Sequence, residues 1–324
     1  MTLSANRAFW VTGPGRCELR PVDMCDWKDE PTVTVRSVYS GISRGTESLI
    51  YHNRVPPGEY QRMRAPWQEG DFPYPVKYGY ANVGEVTDGP AHLQGRRVFC
   101  LYPHQQHYRV PVAAVTVLPD QVPPERAILA ANMETAINGL WDAQPAIGDR
   151  VAVVGLGVVG LLVGWLVRQI PGVELLAVDT NPARQAVAQS LGLPFSSEAS
   201  AEGCDLVIHA SGHSRGLESA LKMAGQEARI IELSWYGDSP VSVPLGHAFH
   251  PNRLELKSSQ VGHIPPSRQP RWNYQRRLAL ALSMLRAPEL DLLISGECRF
   301  EQLPALADSL FSPEADALCH RIIY

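Results

Sequence analysis

The feature that most constrains this fold is a glycine-rich turn between an apolar run and a predicted helix. Residues 150–154, Arg-Val-Ala-Val-Val, are typical of a buried strand, and Gly155, Gly157 and Gly160 follow with G-x-G-x-x-G spacing. In such a turn the first glycine permits a tight bend, the second admits a ligand close to the backbone, and the third lets helix and strand pack closely. The positive end of the helix dipole then favours a phosphate-bearing ligand.

An acidic residue at the end of the next predicted strand makes this ligand more specific. Asp179 lies 22 residues beyond Gly157, the spacing of a carboxylate that binds the ribose hydroxyls of a dinucleotide. Because a carboxylate repels a 2′-phosphate, NAD is predicted over NADP, while Arg184 nearby favours the phosphate. The alternative interpretation is a packing turn without a ligand. The predicted cofactor-binding residues of this region are Gly155, Gly157, Val158, Val159, Gly160, Asp179 and Thr180.

The pattern along the chain predicts two domains. Short β-branched runs such as residues 32–38, interrupted by Pro and Gly, indicate a mostly-β domain over 1–120. Apolar strands alternating with helical segments then indicate a parallel, doubly wound α/β domain over 121–264. Residues 265–324, with a helix over Trp272–Arg286 and a final strand Leu318–Tyr324, are predicted to complete the first domain. The strands predicted for the second domain are Arg150–Val154, Glu174–Asp179, Asp205–Ala210, Ala228–Ser234 and Leu254–Ser259.

Composition excludes several classes of function. The formal net charge of -4 offers no broad positive field for nucleic acid. The apolar run over 151–167 is shorter than the roughly 20 residues of a membrane-spanning helix. Six cysteines without a C-x-x-C pair, and an N-terminus without an apolar signal segment, predict a cytoplasmic protein.

Four local motifs carry a resemblance to a known family. They are residues 40–47 (S-G-I-S-R-G-T-E), 78–84 (Y-G-Y-A-N-V-G), 134–136 (E-T-A) and 205–212 (D-L-V-I-H-A-S-G). Together with the glycine turn they resemble the medium-chain dehydrogenase/reductase superfamily, which is alcohol dehydrogenase-like, over essentially the whole chain. The resemblance implies a GroES-like N-terminal domain, an inserted Rossmann domain, a small-molecule substrate bound between them, and a homo-oligomer, either a dimer or a tetramer. Within the superfamily the motifs are closest to a group that includes bacteriochlorophyllide a dehydrogenase, although no pigment substrate follows from this.

The departures from the family pattern concern zinc. Zinc-dependent relatives have a cysteine ligand where this chain has Ser43 and a His-Glu pair where it has Tyr80 and Ala81, and only Glu134 stands at a position that some relatives use for a ligand. Zinc prefers thiolate, imidazole or several carboxylates. The four-cysteine structural zinc lobe is missing too, because Cys100 is the only cysteine over 83–128. No metal is therefore predicted.

Without zinc, another group must handle the hydroxyl proton during hydride transfer. Tyr80 is the predicted donor because it occupies a lost ligand position, and Ser43 and Thr46 are predicted to relay the proton or orient the substrate. Glu134 and Glu47 are candidates for a general base or a substrate anchor. The alternatives are a buried tyrosine with a satisfied hydroxyl, loop residues that cap a turn, and a structural carboxylate, for instance one paired with Arg44.

The resemblance also implies cofactor contacts outside the glycine turn. A basic residue at the position of Arg44 contacts the pyrophosphate in relatives, and Ala210 and Ser211 follow the strand that leads towards the nicotinamide. The leading hypothesis is NAD(H)-dependent hydride transfer to or from an alcohol or carbonyl substrate without zinc. The alternatives are an enoyl- or quinone-type C=C reductase using NAD(P)H and a redox-silent dinucleotide-binding regulator.

Two further patterns favour ordinary structural roles. The pairs His104/His107 and His247/His250 have i, i+3 spacing but no third ligand, so surface or core histidines are predicted. Residues 268–277 mix arginines with aromatic residues at the start of a predicted helix, which indicates a solvated face. The alternatives are binding of a single-stranded nucleic acid or of an anionic substrate group.

Overall fold

The computed structural model describes residues 6–25, 27 and 30–324, so the first five residues of the N-terminal segment considered above lie outside it. The strands are, in chain order, β1 Arg7–Gly13, β2 Arg16–Pro21, β3 Thr32–Ile42, β4 Glu69–Gly70, β5 Val76–Lys77, β6 Asn82–Asp88, β7 Arg97–Cys100, β8 His107–Pro111, β9 Val115–Val117, β10 Arg150–Val154, β11 Glu174–Val178, β12 Phe195–Ser196, β13 Cys204–His209, β14 Ala224–Glu232, β15 Glu255–Ser258, β16 Ile294–Arg299 and β17 Cys319–Ile323. The helices are α1 Arg44–Tyr51, α2 Pro124–Ala127, α3 Ala130–Ala143, α4 Val158–Val167, α5 Arg184–Ser190, α6 Ser214–Met223, α7 Tyr274–Met284 and α8 Leu303–Phe311.

The chain divides into two compact units. One comprises residues 1–131 and 278–324, and the other comprises residues 132–277. The divisions therefore fall inside α3 and inside α7. Among the described residues, no helix combines the length and the apolar character that crossing a membrane requires.

The unit of residues 132–277 is built on a parallel sheet with the strand order β12-β11-β10-β13-β14-β15. From β10 the chain builds outward through β11 and β12, and then returns to place β13 on the other side of β10. Parallel strands that are buried on both faces form nearly continuous apolar runs, and this is why β10 and β13 were recognisable in the sequence. Their side chains pack with those of α6 in a core that includes Val154, Val207, Leu217 and Ile230.

The unit of residues 1–131 and 278–324 is mostly β. Its larger sheet has the order β16-β17-β3-β6-β7-β9, with β8 also paired to β3, and β1, β2, β4 and β5 form a second sheet. The register that positions the site places Ser40 of β3 opposite Asn82 of β6, and opposite Ile322 of β17 on the other side. The predicted final strand thus belongs to this unit, where it lies between β16 and β3.

Candidate functional site

The glycine turn has the geometry that its sequence predicts. Gly155 has a positive φ of 95°, and a Cβ added there would lie 2.5 Å from the Cα atom of Ser211. A Cβ on Gly160 would lie 1.8 Å from the carbonyl oxygen of Gly155, so only glycine lets α4 start this close to β10. Gly157 is the N-cap of α4, is exposed, and has open space where a Cβ would point. The turn therefore leaves room for a ligand beside the N-terminus of α4, at Val158 and Val159.

Asp179, directly after β11, is hydrogen-bonded to this turn. One carboxylate oxygen accepts a hydrogen bond from the N–H of Leu156 at 2.6 Å, and the other accepts one from the N–H of Asn181 at 2.8 Å. A carboxylate has about four acceptor positions, so each oxygen can still accept a hydroxyl. Asp179 is half-buried and Thr180 is exposed. This donor and acceptor set fits a dinucleotide whose pyrophosphate lies at the glycines and whose ribose lies at the carboxylate.

Ala210 and Ser211 lie at the point where the order of strands reverses. The N–H of Ala210 donates to the carbonyl oxygen of Val154 at 2.8 Å, which carries the pairing of β10 and β13 past the end of the strands. In open α/β sheets, ligands bind at this kind of reversal, beyond the carboxyl ends of the strands. The structure thus brings Ala210 and Ser211 together with Gly155 and Gly160.

A buried histidine beside Ser211 is a feature that the sequence reasoning missed. His209 is fully buried; its Nδ1 lies 2.7 Å from Oε2 of Glu232 and its Nε2 lies 2.6 Å from the Ser211 hydroxyl. The Tyr236 hydroxyl donates to the same Glu232 oxygen at 2.9 Å, and the N–H of Ser234 donates to the other at 2.7 Å. We call Glu232, His209 and Ser211 the histidine network.

In the mostly-β unit, Ser43, Thr46 and Tyr80 come together. The Tyr80 hydroxyl is hydrogen-bonded to the side chains of Ser43 and Thr46, and all three residues are half-buried. The pairing of β3 with β6 explains the contact, because it aligns the residues before Asn82 with those after Ser40, and the N–H of Gly41 donates to the carbonyl oxygen of Ala81. We call these three residues the tyrosine cluster.

Burial and charge set the acidity of the tyrosine cluster. Burial, with a smaller contribution from the nearby Glu47 charge, raises the pKa of Tyr80 to about 12, although the hydrogen bonds from Ser43 and Thr46 oppose this rise. At neutral pH the phenol is therefore protonated and can donate a hydrogen bond.

A buried carboxylate–histidine pair lies behind this cluster. Glu47 accepts the N–H of Ser43 through one oxygen at 2.7 Å, and its other oxygen lies 3.0 Å from Nε2 of His104. Both side chains are at least nine-tenths buried, and a Cβ on Gly79 would lie 2.9 Å from Nε2 of His104, so a glycine is required there. His104 was predicted only to be a surface or core histidine, and nothing in the local sequence points to Glu47 as its partner.

The pair continues into the end of the chain. The Ser40 hydroxyl lies 2.8 Å from Nδ1 of His104 and 2.9 Å from the hydroxyl of Tyr324. A connected set of hydrogen bonds therefore leads from Ser43 through Glu47 and His104 to Ser40 and Tyr324. Such a set fixes the orientation of every member.

Glu134 belongs to the other unit and has a partner of its own. Its Oε1 lies 3.0 Å from Nε of Arg277, and the same guanidinium donates to Asn138 at 2.6 Å. Burial raises the pKa of the Glu134 carboxyl, and the Arg277 charge opposes part of that rise. The prediction of a solvated face over residues 268–277 is wrong for Arg277, which is 3% exposed because this carboxylate and amide satisfy it. Arg44, at the start of α1, donates to the carbonyl oxygen of Ser312 at 3.3 Å.

Ser43 and Tyr80, which the sequence resemblance aligns with zinc ligands of other proteins, are poor zinc ligands. Ser43 and Tyr80 offer neutral hydroxyls to one another, and the pKa of about 12 keeps the phenol protonated near neutral pH. Zinc binds thiolate, imidazole or carboxylate donors instead. Within the described part of the chain, no three His, Cys, Asp or Glu side chains form a group that could hold a metal ion.

Comparisons with known proteins find similarity to dehydrogenases. No protein-family model matches the chain. Over 153 residues it is 27% identical to L-threonine 3-dehydrogenase of Bacillus subtilis strain 168, a match covering 43% of the chain and 44% of that enzyme. The chain thus spans less than half the length of this curated relative.

Solved structures resemble the chain over nearly its whole length. A short chain alcohol dehydrogenase from Escherichia coli CFT073, complexed with NADH, superposes with a TM-score of 0.76 at 16% identity, covering 98% of this chain and 99% of that one. A protein described as a zinc-binding dehydrogenase from Sinorhizobium meliloti 1021, bound to NADP, gives 0.77 at 16% identity, covering 99% and 100%. The predicted fold class, a GroES-like, mostly-β N-terminal domain with a Rossmann doubly wound sheet, is confirmed. These relatives and structural neighbours are all described as dehydrogenases.

Proposed function

We propose that this chain is an oxidoreductase that transfers a hydride between NAD(H) and an alcohol or carbonyl substrate without a catalytic zinc. The observation that carries the proposal is the tyrosine cluster, in which Tyr80 meets Ser43 and Thr46; the sequence resemblance aligns Tyr80 and Ser43 with ligand positions of zinc-dependent dehydrogenases. A protonated phenol held by two hydroxyls can perform one task of the metal, which is to stabilise negative charge on the substrate oxygen.

A bound nicotinamide cofactor would supply the hydride for carbonyl reduction or accept it in alcohol oxidation, and residues of this chain would hold it. The glycines and the start of α4 bind the pyrophosphate, and Asp179 accepts hydrogen bonds from the ribose. Arg44, Ala210 and Ser211 are proposed as further contacts. The carboxylate supports NAD over NADP because it would repel a 2′-phosphate, whereas the structural neighbours bind either NADH or NADP.

Tyr80 handles the proton at the substrate oxygen. Because its pKa is about 12, the phenol is protonated at neutral pH. In carbonyl reduction it donates to the oxygen as negative charge develops there, which is the direction its protonation state favours. Ser43 and Thr46 hold the phenol in place, and the Glu47–His104 pair holds the backbone of Ser43.

The cofactor part of the proposal is tested by titrating NADH and NADPH against the protein and its Asp179→Asn variant. We expect the wild-type protein to bind NADH at least tenfold more tightly than NADPH, because the Asp179 carboxylate repels the 2′-phosphate. A tenfold difference corresponds to about 1.4 kcal/mol, which is a modest charge repulsion. The variant should lose most of this preference. Asp205→Asn, at the other end of the sheet, is the matched control and should keep it. Tighter binding of NADPH by the wild-type protein would contradict the proposal.

The zinc-free part is tested by metal analysis of protein purified without chelators, together with turnover of alcohols and aldehydes. We expect well under one equivalent of zinc and activity that survives prolonged chelation. One equivalent of zinc whose removal abolishes turnover would overturn this part while leaving the cofactor assignment intact.

A further inference from the structure

The histidine network holds an ionisable pair next to the glycine turn. Burial alone would raise the pKa of Glu232, but the hydrogen bonds and charge of His209 and the N–H of Ser234 outweigh it and leave the pKa lowered. Glu232 is therefore ionised at neutral pH. Because the ionised Glu232 accepts a hydrogen bond from Nδ1 of His209 at 2.7 Å, a proton stays on that nitrogen.

The protonation of the other imidazole nitrogen decides what Ser211 can do. When His209 is neutral, Nε2 has a lone pair and the Ser211 hydroxyl donates its hydrogen to it at 2.6 Å. When His209 is an imidazolium, Nε2–H donates to the Ser211 oxygen instead, and the serine hydrogen is free to be donated to a bound ligand or to the carbonyl oxygen of His213, 3.5 Å away. The backbone N–H of His213, at 3.2 Å, donates to Ser211 in either state. The protonation state of His209 thus decides which hydrogen bond Ser211 can offer to a ligand. The hydroxyl can only accept one when His209 is neutral, and it can donate one when His209 is an imidazolium.

The backbone around Ser211 places the histidine network next to the glycine turn. The Ser211 backbone lies against Gly155, where an added Cβ would approach within 2.5 Å. On the other side, a Cβ on Gly216 of α6 would lie 2.2 Å from the Ser211 hydroxyl and 2.6 Å from Nε2 of His209. Ser211 itself is half-buried.

We propose that the histidine network links binding of the cofactor's pyrophosphate to the uptake of one proton by His209. This inference rests on the proposed function, since it requires a dinucleotide at Gly155. Pyrophosphate oxygens accept hydrogen bonds and do not donate them. When His209 is neutral, they are therefore repelled by the remaining lone pair of the Ser211 oxygen. When His209 is an imidazolium, Ser211 can instead donate a hydrogen bond to the pyrophosphate. The positive charge of the imidazolium also offsets the negative charge of Glu232 near the anionic ligand.

The groups facing His209 are few enough for the linkage to be measured. Glu232 faces it from β14, Tyr236 approaches Nδ1 at 3.4 Å from the segment after β14, and Ser211 faces it from its own strand. α6 presents Gly216 there, and β10 presents the backbone of Val154 next to Ala210.

The test is calorimetric titration of NADH in two buffers of different ionisation enthalpy, between about pH 5.5 and 8.5 where histidines titrate. For the wild-type protein we expect up to one proton taken up per NADH, and affinity that rises as pH falls, by at most about tenfold per pH unit. His209→Gln keeps hydrogen-bonding groups but cannot titrate, so its proton uptake should be near zero and its affinity independent of pH. Glu232→Gln should also lose the uptake because it no longer stabilises the imidazolium.

Ser211→Ala measures the hydroxyl separately. We expect NADH binding about tenfold weaker at low pH, the usual scale for a hydrogen bond to a charged group, and no weaker at high pH, where the substitution also removes the lone pair that repels the pyrophosphate. Ser214→Ala, an exposed serine at the start of α6, is the matched control and should behave like the wild-type protein. Equal proton uptake in the wild-type protein and in His209→Gln would overturn the inference alone. Failure of the wild-type protein to bind either nicotinamide dinucleotide would instead overturn the proposed function, and this inference with it.

Discussion

At the scale of single residues, the proposed chemistry depends on the Tyr80 hydroxyl. We expect Tyr80→Phe to lower kcat for carbonyl reduction about 100-fold, the usual contribution of a general acid, and to leave NADH affinity unchanged. Tyr78→Phe removes a hydroxyl from the same segment, where it makes only a 3.4 Å contact with the carbonyl oxygen of Met63, and should retain activity. Steady-state kinetics of both variants decide the point, and an equal loss in the two would argue against Tyr80 as donor.

Glu232 has a second consequence at this scale, in acid stability. Because its folded-state pKa lies below the ordinary value of 4.5, its ionised form stabilises the folded state at all higher pH. This contribution is lost as pH falls through the folded-state pKa. We expect Glu232→Gln to reduce the free energy of unfolding by about 1–3 kcal/mol at pH 7, with the difference shrinking below about pH 4.5. Urea unfolding across that range measures it; a difference that grows in acid would contradict the assignment.

Which of these residues could be predicted depends on how far apart their partners lie. Ser43, Thr46 and Tyr80 stood out because each departs from, or extends, a local motif. His104 and Glu47 are 57 positions apart, and His209 and Glu232 are 23 positions apart, so no local sequence pattern predicts either pair. A buried histidine is recognised only when the fold brings its carboxylate to it.

At the scale of elements, the turn between β10 and α4 separates two roles of glycine. Gly160→Ala would place a methyl group against the carbonyl oxygen of Gly155, so we expect about 1–3 kcal/mol of destabilisation. Gly157→Ala meets open space and has an ordinary φ of −70°, so it should fold normally yet bind NADH at least tenfold more weakly. Thermal unfolding and NADH titration, with Gly246→Ala as control, distinguish the two; normal NADH binding by Gly157→Ala would contradict the proposed position of the pyrophosphate.

The sequence predicted the elements of the parallel sheet better than those of the mostly-β unit. The bounds of β10 match the prediction, because a strand buried on both faces is one apolar run. β14 starts four residues earlier than predicted, at Ala224, because its first residues, including the exposed Glu227, carry no apolar pattern. The two-residue strands β4 and β5 are defined only by pairing, β4 with the nearby β5 and β5 also with the distant β1, so neither composition nor periodicity indicates them.

At the scale of the whole molecule, the last strand completes a unit that begins at the other end of the chain. Ile322 of β17 is fully buried and pairs opposite Ser40, so Ile322→Ala should destabilise the mostly-β unit by about 2–5 kcal/mol. NADH affinity should stay within about twofold under conditions where the protein is folded, because the glycine turn and Asp179 belong to residues 132–277. Leu292→Ala, in the same C-terminal segment but 43% exposed, is the control and should cost less than about 0.5 kcal/mol.

Urea unfolding followed by tryptophan fluorescence gives the stability of these two variants, and NADH titration at low temperature gives their affinity. The two measurements should separate, since a strand added from the far end of the chain stabilises its own sheet without entering the parallel one. A loss of NADH affinity as large as the loss of stability would show that the two units fold as one cooperative body. The C-terminal strand would then matter to the cofactor site as much as the glycine turn does.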